Sequence, residues 1–216
     1  MPITDSATLA HSLCPMFDRS ANQMMAPSIQ RLARQTRRLG LSANQLTLLG
    51  FLLGMAAAFL IAFEAYLVGA AFILLSRLLD ALDGAVARLT QATDAGGFLD
   101  IALDFVFYAS IPLAFAISDP PRNALPAAVL LAAFIGTGSS FLAFAVMAAK
   151  RGLRNLATPN KSFYFLGGLT EASETLLCFM AMCVWPGLFI ELAYGFAALC
   201  AITTATRIWW GWKTFQ

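Results

Sequence analysis

Apolar positions run in long blocks along this chain, separated by brief polar punctuation. The blocks predict six helices, near 45–65, 67–88, 97–117, 124–149, 163–185 and 188–207. Each supplies about 20 residues, the length needed to cross a hydrocarbon core of about 30 Å at 1.5 Å per residue. Asp119-Pro120-Pro121 divides the third block from the fourth, and Trp185-Pro186-Gly187 closes a tight hairpin between the fifth and sixth. The first 44 residues are polar by comparison. Within them, Ala26–Leu39 sets Ile29, Leu32, Ala33 and Leu39 among Arg31, Arg34, Arg37 and Arg38. That thin stripe predicts an amphipathic helix at the membrane surface, its arginines near anionic headgroups. A solvated arm is the plainer alternative. No basic leader runs into an early apolar core, so a cleaved signal peptide is not indicated. The expected fold is an all-α integral membrane protein: an interfacial arm over 1–44, then a six-helix membrane domain over 45–216.

Composition agrees. Of 216 residues, 59% are hydrophobic and 12% charged, with a mean hydropathy of +0.72. A soluble domain carries about 25% charged residues. The net charge of +2 is too small to point to nucleic acid, and no nucleic-acid partner is expected. Its distribution says more. Arg19, Arg31, Arg34, Arg37, Arg38, Arg88, Lys150, Arg151, Arg154, Lys161, Arg207 and Lys213 all fall on one side of a six-span arrangement. Arg122 alone falls on the other. The positive-inside bias therefore places both termini in the cytoplasm, in a bacterial inner membrane. Cys14, Cys178, Cys183 and Cys200 are scattered without a CxxC pattern, so neither disulfides nor a zinc site is expected. His11, alone in a polar arm, has no chemical role in this reading.

The polar exception inside the apolar blocks is DALDGAVARLTQATDAGGFLDIALD, from Asp80 to Asp104. Asp80 and Asp83 are three residues apart, and Asp100 and Asp104 are four apart, so each pair projects from one helical face. A carboxylate near a bilayer centre costs roughly 2.5–3.5 kcal/mol on insertion scales. Four together call for a cation or a wet cavity. Arg77, Asp80, Gly84 and Arg88 form one stripe, with Asp83 and Ala87 at its edge, and the small residues leave room for something bulky. Asp94-Ala95-Gly96-Gly97 reads as a turn with an N-capping aspartate ahead of the third helix. Oxygen-only donors suit Mg²⁺ or Mn²⁺ rather than zinc or copper, and a pair of such ions can clamp a displacement at phosphorus. Arg77 and Arg88 are placed to neutralise phosphate. The plainer alternative is a set of Asp–Arg pairs that merely holds two helices together.

The spacing Asp80-x2-Asp83-Gly84-x2-Ala87-Arg88, seven residues, then Gly96-x3-Asp100-x3-Asp104 resembles the signature of the CDP-alcohol phosphotransferases at every fixed position. Ser42-Ala43-Asn44-Gln45-Leu46-Thr47 is similar to the Pro-Asn-x-Leu-Thr start of that family's first span, with Ala43 in place of proline. The resemblance is specific over about 42–112 and topological beyond. It implies a six-helix membrane enzyme, a homodimer, that displaces CMP from a CDP-linked alcohol with an acceptor hydroxyl. By the same resemblance, Asp80, Asp83, Asp100 and Asp104 hold one or two divalent ions, Mg²⁺ or Mn²⁺. Asp104 is also the general base. Gly84 and Ala87 make room for the cytidine nucleotide, while Arg88 and Gly96 shape its diphosphate site.

Donor and acceptor are less legible. CDP-diacylglycerol is the expected donor, with a CDP-choline or CDP-ethanolamine donor and diacylglycerol acceptor as the alternative. In the glycerophosphate-using and cardiolipin-forming branches a lysine commonly follows the last motif aspartate, whereas Phe105 stands here. Phe107–Pro112 is weakly similar to a stretch of the serine-using branch. Arg77, Lys150, Arg151, Arg154 and Lys161, with Glu171 and Glu174 inside the fifth block, are candidate contacts for a small alcohol acceptor or a lipid headgroup. Ordinary positive-inside charge explains the basic loop equally well. Glu64 and Glu191 are expected to be solvated. Gly50-x3-Gly54 and Gly136–Ser140 are expected to let helices approach closely, and Trp209, Trp210, Trp212 and Lys213 to anchor at an interface. Two other classes are weighed. A cation-binding transporter would show internal repeats or interrupted helices, and no convincing repeat is found. A magnesium-dependent prenyl-transfer enzyme usually carries two separated Asp-rich motifs, where this chain has one contiguous cluster.

Overall fold

The computed structural model describes residues 29–90, 92–152 and 170–216. Among them every regular element is helical. The first, α1, covers 29–38 and is followed by α2 (Ala43–Ala62), α3 (Tyr66–Leu89), α4 (Asp94–Ser118) and α5 (Pro120–Lys150). A 3₁₀ turn over Pro186–Leu188 joins α6 (Ala172–Val184) to α7 (Phe189–Phe215).

The joints follow local chemistry. Gly40 takes a left-handed conformation (φ +79) at the end of α1, where the Leu41 N–H returns to the Thr36 carbonyl at 3.3 Å. Glu64 does the same without glycine's freedom (φ 62) after α2, exposed to solvent, with the Ala65 N–H on the Leu60 carbonyl at 2.9 Å. Between α4 and α5 only Asp119 intervenes, because Pro120 and Pro121 occupy the first helical positions, where a missing N–H costs nothing. The buried Asn123 side chain donates to the Phe115 carbonyl at 3.0 Å and so caps the end of α4.

Among the described residues, four segments are long and apolar enough to cross a membrane: Ala43–Ala62, Asp94–Ser118, Pro120–Lys150 and Pro186–Phe215. Four of the six expected spans thus have the length and composition to cross a membrane. Tyr66–Leu89 has the length, at 24 residues, but carries Arg77, Asp80, Asp83 and Arg88. Ala172–Val184 is apolar but short at 13 residues, and the expected start of that span near 163 falls outside the described residues.

The chain folds as two compact units, one reaching to Leu53 and including Leu74–Leu103, the other comprising Gly54–Ile73 and Asp104–Gln216. The first has a small core of Ala33, Leu46, Leu82, Ala85 and Val86, flanked by Ile29, Leu41, Ala43, Leu79 and Leu89. Helix α1 therefore docks through Ala33 and Thr36 with Ile29 beside them: of the expected stripe Ile29 and Ala33 pack inward, while Leu32 and Leu39 are 40% and 79% exposed. Alanine and threonine win because only short side chains allow close approach. All four arginines of α1 are exposed, and Arg37 Nη1 donates to the Leu89 carbonyl at the end of α3 (3.1 Å). The second unit is built on aromatic bulk. Phe107, Phe115, Phe179 and Phe189 are wholly buried, and Phe115 stacks between Tyr66 and Phe189 at centroid distances of 5.5 and 4.6 Å. Cys178, Cys183 and Cys200 are free thiols within this unit.

Candidate metal and nucleotide site

The aspartates converge in the first unit. Single carboxylate oxygens of Asp80 and Asp83 on α3 and of Asp100 on α4 lie within 4.8 Å of one another. Helical spacing places Asp80 and Asp83 on adjacent edges of one face. Burial then separates them: Asp83 is 5% exposed, while the Asp80 side chain retains 34%. Like charges so close repel by about 3 kcal/mol per pair at an effective dielectric of roughly 20. The cluster therefore favours a positive charge among its oxygens. Arg77 supplies part of it, with Nη1 3.5 Å from Asp80 Oδ1. The donor set also fits a hard divalent ion, whose bound oxygens lie about 3–4 Å apart when each metal–oxygen bond is about 2.1 Å. Asp104 stands one turn beyond Asp100 on α4, half-buried, and is not one of the three.

The small residues define space beside the acids. A Cβ built on Gly84 would meet only Arg88 Nη1, at 3.4 Å, leaving open room next to Asp83. Gly96 is different, since a Cβ there would lie 2.9 Å from Asn44 Oδ1 and 3.1 Å from Thr93 Oγ1. Here glycine admits the Asn44 side chain over the first turn of α4. That turn is capped by Thr93, not by the expected Asp94: Thr93 Oγ1 accepts the Gly96 N–H at 3.1 Å, and Asp94 is the first helical residue. Either side chain can cap, and spacing alone does not choose between neighbours. Ala87 is half-buried and Arg88 exposed on the same helix.

Two of the expected acceptor contacts, Glu174 and Arg151, also hold helix ends. Glu174 accepts the Glu171 N–H at 3.0 Å and the Ser173 hydroxyl at 3.1 Å, closing the first turn of α6. Arg151 donates to the last carbonyls of α7, Thr214 at 3.3 Å and Phe215, and lies over the Phe215 ring. Lys150 ends α5, exposed, whereas Arg154 and Lys161 fall outside the described residues. Arg207, counted in the sequence only as flanking charge, has a defined setting. Its Nη1 donates to the Thr137 carbonyl at 3.1 Å, and its guanidinium lies 5.6 Å from the Phe141 centroid. Its place inside an otherwise apolar helix was the available signal. Lys213 lies over the Trp209 and Trp210 rings, at 4.8 and 5.7 Å.

An all-helical membrane protein with acids gathered from two helices defines the class. The sequence pattern of the CDP-alcohol phosphatidyltransferase family matches residues 41–209. The chain belongs to this family and is an enzyme of it. It is 49% identical to the inner membrane protein YnjF of Escherichia coli (strain K12), over 93% of this chain and 98% of that one. Archaetidylinositol phosphate synthase of Pyrococcus horikoshii is 28% identical, over 77% and 89% of the two chains. Phosphatidylinositol phosphate synthase (PgsA1) of Mycobacterium tuberculosis shares the fold. Its crystal structure with CDP-DAG bound gives a TM-score of 0.64 at 23% identity, over 85% of this chain and 93% of that one.

Proposed function

We propose that the enzyme moves a phosphatidyl group, from CDP-diacylglycerol, onto the hydroxyl of an acceptor alcohol and releases CMP, as a step of phospholipid synthesis. The observation that carries this reading is the convergence of Asp80, Asp83 and Asp100 within 4.8 Å at the motif positions. Asp80, Asp83 and Asp100, with Asp104, would hold Mg²⁺ or Mn²⁺, one ion or two. A bound ion would supply charge stabilisation for the diphosphate as its bridging bond breaks. The mycobacterial relative supports both parts, having been crystallised with CDP-DAG and, separately, with manganese and citrate.

In this reading the acceptor oxygen bonds to the lipid-side phosphorus and the bridging P–O bond opens. CMP, which keeps the cytidine-side phosphate and the bridging oxygen, leaves, and the hydroxyl proton passes to the Asp104 carboxylate. Gly84 and Ala87 leave room for the nucleotide, while Arg88 and the Gly96 turn border its diphosphate. Arg77, Lys150, Arg151, Arg154, Lys161, Glu171 and Glu174 supply contacts to the acceptor or lipid headgroup. The molecule works as a homodimer of six-span subunits in the bacterial inner membrane, with its termini and active site toward the cytoplasm. The inner-membrane name of the Escherichia coli relative supports the location.

CMP release by purified protein in detergent tests this. CDP-diacylglycerol is compared with CDP-choline as donor, across a panel of small alcohols and phosphorylated alcohols, in Mn²⁺, in Mg²⁺ and in EDTA. Turnover with CDP-diacylglycerol that stops in EDTA and returns with either ion is expected. Turnover that persists in EDTA, or that requires CDP-choline, overturns the reading.

A further inference from the structure

Two glycines mark close helix contacts of different kinds. At Gly50 of α2 the contact is polar, the Ser76 hydroxyl of α3 donating to the glycine's own carbonyl at 2.7 Å. At Gly138 of α5 it is aromatic. A Cβ built there would overlap Phe105 Cε1 of α4 and lie 3.0 and 3.4 Å from Cζ and Cδ1, so the ring edge fills the place of the missing side chain. The turn around it is slim, since Thr137, Ser139 and Ser140 fold their hydroxyls back onto carbonyls three residues earlier, at 3.0, 3.3 and 3.0 Å. Gly136 stands about 200° away around the axis and admits the other neighbour, since a Cβ there would lie 3.1 Å from Thr204 Oγ1 of α7. Thr204 is fixed in turn by donating to the Cys200 carbonyl at 2.9 Å. One turn of α5 therefore meets α4 on one side and α7 on the other, all within the second unit. Phe105 directly follows Asp104.

We propose that Phe105 is a positioning residue for Asp104: seated against Gly138, its ring fixes the rotation and height of the α4 turn that carries the carboxylate. The inference rests on the proposed role of Asp104 as base and adds what holds that base in place. A phenylalanine side chain keeps to a few staggered rotamers, so an edge keyed into a backbone notch leaves its own Cα little freedom. The Asp104 Cα, about 3.8 Å along the chain, moves with it. Empty the notch, and α4 can turn or slide. Put a methyl in it, and the ring must leave or push α4 away. Base catalysis feels such shifts steeply, because the carboxylate must lie within hydrogen-bond reach of the acceptor hydroxyl.

CMP release from CDP-diacylglycerol, at saturating Mn²⁺ and with the most active alcohol of the panel above, tests this. Wild type is compared with Phe105→Ala, Gly138→Ala, Asp104→Asn and the Phe105→Ala/Asp104→Asn double variant. Phe105→Ala vacates the notch and Gly138→Ala fills it, two opposite ways of unseating the ring. Each should lower kcat about tenfold, within the range that a displacement of about 1 Å can cost. KM for CDP-diacylglycerol should stay within about twofold of wild type, where general loosening of the fold would raise it. In the Asp104→Asn background the Phe105→Ala effect should shrink below about twofold, because the group it positions is gone. Wild-type kcat in both Phe105→Ala and Gly138→Ala overturns the inference, as does a tenfold loss that persists without the Asp104 carboxylate. Wild-type turnover in Asp104→Asn sinks the base assignment itself, and the inference with it.

Discussion

Asp104 and Asp100 share a helix one turn apart, yet the second joins the acidic cluster with Asp80 and Asp83 while the first stands outside that triplet. In the proposed reading Asp104 takes the hydroxyl proton as well as helping the other three to hold the ion. Asp104→Asn is isosteric and removes the basic oxygen. CMP release should fall by about 10²-fold or more, the usual contribution of a general base, with the melting temperature unchanged. Wild-type turnover in that variant would assign the base elsewhere. The residue types were legible because carboxylates at helical spacing are costly in apolar sequence and need a cation or water to be kept there. Ser76 and Thr93 were not, since a hydroxyl's work depends on which carbonyl, amide or guanidinium the fold brings to it.

Helices α2 and α3 meet at Gly50, where the nearest obstacles are a Cβ and a backbone carbonyl and neither can swing aside. Gly50→Leu should therefore cost about 1–3 kcal/mol through overpacking, seen as a lower melting temperature in detergent. CMP release should fall with it, because the strain reaches the backbone beside Asp80. Gly195→Leu, on α7 with nothing near its missing Cβ, is the matching control and should be tolerated. Equal stability of the two variants would mean that the helices part freely at Gly50. The small-residue spacing announced a close contact, but its partner was invisible, since Ser76 lies 26 residues away. Element boundaries fared well where proline set them, as at Pro120 and Pro186. Helix α1 was legible in part, since Ile29 and Ala33 of its stripe pack inward, whereas Leu32 and Leu39 are exposed and Thr36 is buried in their stead.

At the scale of the molecule, α5 is 31 residues long, about 46 Å at 1.5 Å per residue, so its ends emerge on opposite faces of a bilayer. Arg151 joins the end of α5 to the end of α7 through the Thr214 and Phe215 carbonyls, so those two ends share a face. In the proposed orientation, which follows the positive-inside bias, that face is the cytoplasmic one. In a background without native cysteines, Lys150→Cys and Gln216→Cys should react with an impermeant maleimide only in inverted vesicles. Arg122→Cys should react only in right-side-out ones. The reverse pattern would overturn the orientation and, with it, a cytoplasmic supply of the CDP-linked donor.

By itself the sequence determined that the chain is helical and apolar and that its acids recur at one turn's spacing. Those are properties of neighbours along a helix, fixed by its 3.6-residue period and by what a bilayer tolerates. Only the tertiary structure decided that Asp80, Asp83 and Asp100 meet, that Arg77 is shared between Ser76 and Asp80, and that Glu174 and Arg151 close helix ends. Asp100 and the α7 carbonyls stand on other helices than their partners, while the remaining pairs share a helix and depend on which hydroxyl, carboxylate or amide the local geometry presents. Such partners are selected by packing distance and backbone geometry, which no periodicity along the chain records.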